Sequence, residues 1–199
     1  VAEQSVKYPT DISLLNKARE ISEKLIDELY ALSDYSKKPR TYRQKARRQY
    51  LVLAKNKKPN LKVRRRGIRE QLQYLRRNLG YISVFLDDVG SRPFPLSFKL
   101  QRQYWIIQCL YEQQDGMHKD RRSRCDNRII SISQPHVRPI VRGKAGKKTE
   151  FGAKISVSMT DGLAFVDHIG WDAYNESKDL KQQVEEYKQR YGYSGISPV

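Results

Sequence analysis

Residues 153–169 leave this chain little choice of local structure. Ile155, Val157 and Met159 alternate with Lys154, Ser156 and Ser158, the period of two that a half-buried strand requires. Asp161-Gly162 follows, a dipeptide that tolerates the positive φ angles of a two-residue hairpin turn, and residues 163–169 supply the returning strand. Upstream, the β-branched run at 129–133 (IISIS) predicts another strand, joined to the hairpin by a basic loop. Downstream, residues 175–191 predict a helix with Leu180, Val184 and Tyr187 on one face. The C-terminal third is therefore expected to form three strands and then a helix.

The chain before residue 128 changes period. Thr10 or Asp11 can cap a helix in which Leu14, Ala18, Ile21, Leu25, Leu29 and Leu32 recur at steps of three and four. Tyr42, Ala46, Tyr50 and Leu53 share a face of a second helix over 41–55, closed by the breaker NKKPN. The third is the most regular: Ile68, Leu72, Leu75, Leu79, Ile82 and Leu86 form a coiled-coil-like seam. Arg65, Arg69 and Arg76 are expected well away from it, on a basic face. Gly80 in its interior costs about 1 kcal/mol of helix propensity relative to Ala. A loop at 90–95 and a fourth helix over 97–114 follow, the latter more apolar and a candidate hinge against the sheet. Residues 115–127 read as irregular. This divides the chain into a helical basic region at 1–95, a helical connector at 96–127 and the strand region at 128–199.

Charge is segregated along the chain. The net charge is +17, and 17 of the 39 Lys and Arg fall between residues 37 and 77, against one of the 22 acids, Glu70. The remainder of the chain is close to balanced. A merely solvated face mixes signs, because clustered like charge opposes compaction, so this run reads as a polyanion-binding face. Arg43, Lys45, Arg47, Arg48, Arg64, Arg65, Arg66 and Arg69 are its candidate DNA contacts, through phosphates and not base edges. Tyr42, Tyr50 and Tyr74 among them read as core residues at helical spacing.

Arg138, Arg142, Lys144, Lys147 and Lys148 make a second basic cluster, expected to contact the DNA backbone, whose Gly143 and Gly146 let backbone approach a phosphate. It lacks the spacing of a nucleotide-binding loop. Cys109, Cys125, His118 and His136 match no zinc pattern, and two cysteines give no disulfide framework, which suits a reducing, cytoplasmic setting. No apolar run reaches membrane-spanning length. The start at Val1 reads as that of a fragment.

The words QPHVRPIVRGKAGKKTEFGAKISVS and GWDAYNES, with KYPTD, PRTYRQKARRQY, QLQYLRRNL and YEQQ upstream, resemble a bacterial insertion-sequence transposase of the DDE type. The resemblance spans nearly the whole chain. It implies an α+β protein, a basic N-terminal helical region followed by the first half of a ribonuclease-H-like mixed sheet. It further implies double-stranded DNA as partner, admits a homodimer, and in an intact relative implies strand cleavage and transfer with Mg²⁺ held by three acids. On the strand expected at 129–133 the usual first-acid positions are Ser131 and Ser133, which cannot serve as charged ligands. Asp172, in GWDAYNES, is the candidate catalytic acid, with Asp126 a second choice, and Mg²⁺ is not expected to bind tightly here. The alternatives are a non-catalytic nucleic-acid-binding protein derived from a transposase, and an RNA-binding protein.

Overall fold

The computed structural model describes residues 2–3, 10–89, 93–141, 149–171 and 175–192. Four helices come from the first part of the chain: α1 (Asp11–Ala31), α2 (Arg43–Lys55), α3 (Leu61–Val89) and α4 (Phe98–Lys119). Strands β1 (Ala2–Glu3), β2 (Arg138–Val141), β3 (Thr149–Thr160) and β4 (Leu163–Gly170) and helix α5 (Leu180–Tyr191) complete the α+β architecture. The chain forms two compact units, Tyr8–Pro135 and a second built from β1 and the residues from His136 onward.

In the helical unit α1 packs on α2, α3 and α4, and α3 on α2 and α4. Thr10 begins α1 with a reciprocal cap: its side chain accepts from the Ser13 N–H at 3.3 Å, while Ser13 Oγ accepts from the Thr10 N–H at 3.1 Å. Asp11 instead holds Arg128 and accepts from Gln114 Nε2 at 3.1 Å. The seam of α3 faces inward, with Leu72, Leu75 and Ile82 buried and Ile68, Leu79 and Leu86 packed against the same core. Gly80 has open space where a side chain would stand, so the seam is held by its neighbours and not by a close approach at the glycine.

Three expectations are corrected in this unit. The run at 129–133 forms no strand: Ile129 and Ile132 lie in the helical core, and the Ile129 N–H donates to Gln113 Oε1 at 2.9 Å. Residues 115–119 continue α4. That helix belongs to the helical unit, where Tyr104, Ile107 and Leu110 pack with α1 and α3.

In the second unit β3 is the common partner, and every pairing among the described strands is antiparallel. Glu3 of β1 and Arg138 of β2 both face Gly152, so these strands flank β3 on opposite edges. The β3–β4 hairpin turns at Asp161 and Gly162, whose φ angles of 51° and 80° are those a type I′ turn needs. Its register shifts once: Ser156 faces His168 and Val157 faces Val166, leaving Asp167 as the extra residue of a bulge. Helix α5 has no buried residue, and Leu180, expected to share a face with Val184 and Tyr187, is 64 % exposed.

Candidate nucleic-acid interface

Helices α2 and α3 pack tightly enough to force their cations outward. Ala46 and Leu53 of α2 are buried, Gln71 Nε2 donates to the Ala46 carbonyl at 3.1 Å, and the Tyr74 hydroxyl donates to Gln49 Oε1 at 2.8 Å. At Gly67 the helices approach so closely that a Cβ would stand 2.4 Å from Leu53 Cδ2. With these inner positions occupied by small, apolar or amide groups, Lys45, Arg47, Arg48, Arg64 and Arg69 are left exposed. None of the five makes a side-chain hydrogen bond or ion pair among the described residues, so their charge is available to an external anion.

The other predicted contacts are engaged within the fold. Arg43 grips Asp27 of α1 with both guanidinium nitrogens, at 3.1 and 2.7 Å. Burial would raise the Asp27 carboxyl, but the hydrogen bonds from Arg43 and Lys38 hold it below the usual aspartate range. Arg66 pairs with Glu70 at 3.0 Å, one turn along α3. Arg65 is half-buried, not clear of the seam as expected, and donates to the His118 carbonyl at 3.1 Å near the end of α4. Burial and the charges of Arg65 and Arg69 lower the His118 imidazole from its ordinary value, against the opposing pull of Asp115.

The Arg65–His118 contact brings the end of α4 beside the first half of α3. Arg121 and Arg124, both exposed, follow directly and extend the basic surface, whereas Arg122 pairs with Asp120. These two were missed, although the run RRSR within a polar stretch is a signal of the same kind as the one used for α2 and α3. Arg138 lies half-buried in β2 of the other unit. Arg142, Lys144, Lys147 and Lys148 fall outside the described residues, as does Asp172.

Asp126 is exposed in a turn of the helical unit, and Ser131 and Ser133 contact each other at 3.1 Å in a loop. Among the described residues no three His, Cys, Asp or Glu side chains converge, so those residues do not fit a two-metal centre. No described helix is long and apolar enough to cross a membrane. What the surface can do is bind phosphate: guanidinium and ammonium groups at separated positions, able to neutralise a repeating anion. No family model, curated protein or solved structure matches the chain.

Proposed function

We propose that this chain binds duplex DNA through phosphate contacts from the exposed cations of α2 and α3, as part of a DDE-type transposase acting on insertion-sequence DNA. One observation carries the binding: 17 basic residues against one acid over residues 37–77, with Lys45, Arg47, Arg48, Arg64 and Arg69 exposed on α2 and α3 and without internal partners among the described residues. Duplex DNA carries a negative charge about every 1.7 Å along its axis, and each phosphate neutralised releases condensed counterions. The transposase assignment is supported by the resemblance of the long motif ending in FGAKISVS. An antiparallel run of strands leading into a helix is compatible with the opening half of a ribonuclease-H-like sheet. With the run at 129–133 inside the helical unit, Ser131 and Ser133 no longer stand for that family's first acid. The first strand in chain order is β1. Cleavage and transfer with Mg²⁺ are what the resemblance implies for that family.

The test is a salt titration of duplex affinity. Replacing Arg47, Arg48, Arg64 and Arg69 together by Ala is expected to weaken binding to all duplex sequences alike. The log–log salt slope should flatten by about 0.9 for each phosphate contact removed. All four side chains are exposed and unpaired, so the fold is expected to survive. A folded variant with unchanged affinity and slope would take this face out of the interface.

A further inference from the structure

We infer that the groove between α2 and α3 holds an unpaired nucleic-acid strand, with base faces on its aliphatic floor and phosphates on its cationic rim. This rests on the nucleic-acid binding proposed above and adds a second substrate form to it. Two hollows of about 380 and 590 Å³ share Lys45, Gln49 and Glu70 in their linings, and so adjoin along the helix pair. Towards the α2–α3 loop its walls are aliphatic: Val52 is 75 % exposed and Val63 45 %, flanking Leu53 and Gly67. Open aliphatic side chains in the most cationic stretch of the chain serve neither a solvated basic face nor a duplex. A duplex keeps its base faces stacked inside and offers phosphates and groove edges. An unpaired strand offers an apolar base face together with a charge at every nucleotide.

At the opposite end of the groove planar side chains stack on one another, and Arg40 lies 5.0 Å from the Tyr42 ring centre. The Arg77 guanidinium lies 4.6 Å from the Tyr42 ring centre and 5.2 Å from that of Tyr74. Tyr42 is exposed, contrary to its expected core role, and Arg77 has no carboxylate partner among the described residues. This stack holds cationic charge at that end of the groove, where a phosphate can meet it. Between the ends stand Gln49, whose Oε1 accepts from the Tyr74 hydroxyl, and Glu70. Glu70 is paired with Arg66, and Lys45 and Arg48 line the same groove, so a phosphate meets cations on either side of the single acid. From Val63 to Arg77 α3 advances about 21 Å at about 1.5 Å per residue, room for several nucleotides. An acidic amphipathic helix is the rival occupant. It is disfavoured because the cations continue past the groove on both helices.

The test uses the full chain and fluorescence anisotropy, with a labelled single strand of ~12 nucleotides and a blunt duplex of the same sequence as probes. The double variant Val52→Asn, Val63→Asn changes exposed positions and no charge. Its single-strand affinity is expected to fall about tenfold, with duplex affinity kept within about twofold. In the unaltered chain, a bromouracil-substituted strand is expected to photocrosslink to groove residues of α2 and α3. Equal losses for both probes, an unchanged single-strand affinity, or crosslinks elsewhere would overturn the inference. So would displacement of the strand from the groove by an acidic amphipathic peptide at lower concentration than by unlabelled strand. A chain that binds duplex but no single strand loses only this inference. A chain that binds neither loses the proposed function as well.

Discussion

Arg19 shows how much one residue in the middle of a surface-type helix can carry. Its side chain is 1 % exposed, bonded to Glu23 one turn on and to Asn16 Oδ1 at 2.7 Å. Burial pushes the Glu23 carboxyl up, while the charge and hydrogen bond of Arg19 pull it down, and the net direction is upward. A carboxyl raised in the folded state favours folding at pH below its unfolded value and loses that contribution as pH rises through the folded value. Arg19→Ala leaves Glu23 buried without its partner, and is expected to cost about 3–5 kcal/mol near neutral pH. Because Glu23 then prefers to be protonated, the deficit should shrink as pH falls towards about 5. Denaturant melts of the variant and parent at the two pH values check this, and a deficit independent of pH would mean Glu23 does not carry it. Nothing in the sequence singled out Arg19. Arginine is seldom fully buried, and here the cause is that α1 is packed by three other helices, which its own periodicity does not reveal.

Between β3, β4 and α5, attachment is polar. Asp167, 2 % exposed at its side chain, is re-aimed by the bulge towards α5, accepting from Ser158 Oγ at 2.9 Å and Gln183 Nε2 at 3.0 Å. Arg190 stands 3.6 Å away and lies over the Phe165 ring at 4.2 Å. Burial alone would raise this carboxyl, but those hydrogen bonds and the Arg190 charge hold it below the usual range. Its contribution is therefore present above the ordinary aspartate value and lost as pH falls through the depressed one. Since α5 buries no apolar residue, Asp167→Ala is expected to loosen it by about 1–3 kcal/mol. Limited trypsinolysis reads this as faster cleavage at Lys181, Lys188 and Arg190 with α1–α4 unaffected, and unchanged cleavage at those sites would contradict it. The hairpin was legible because a period of two and Asp-Gly act locally. The run at 129–133 misled because β-branched residues favour an extended backbone whether the partner is a strand or, as here, a helical core. Strand β2 escaped notice because it is four residues long and contains Pro139, which weakens a strand signal. Residues 115–127 read as irregular, yet Gly116 sits in open space and α4 runs on to Lys119.

Over the whole molecule, the chain contributes β1 to the sheet before it builds the four-helix unit, and returns to the sheet at β2. The pairing of Ala2 with Ala153 joins residues remote in sequence, and no local pattern could announce it. Charge was legible at this scale, because counting needs no structure. Which cations remain free was not, since Arg43, Arg65 and Arg66 find partners on α1, α4 and α3 that only packing supplies. The central claim is that the free cations of the helical unit, and not those of α5, meet DNA phosphate. Amine acylation followed by mass spectrometry, with and without saturating duplex, tests it directly. Lys45, Lys55, Lys57, Lys58 and Lys62 are exposed in and around α2 and α3, and Lys178, Lys181 and Lys188 are exposed at α5, so all eight label in the free chain. Duplex is expected to protect the first group strongly and leave the second unchanged. Uniform protection of both groups, or protection confined to α5, would contradict the account.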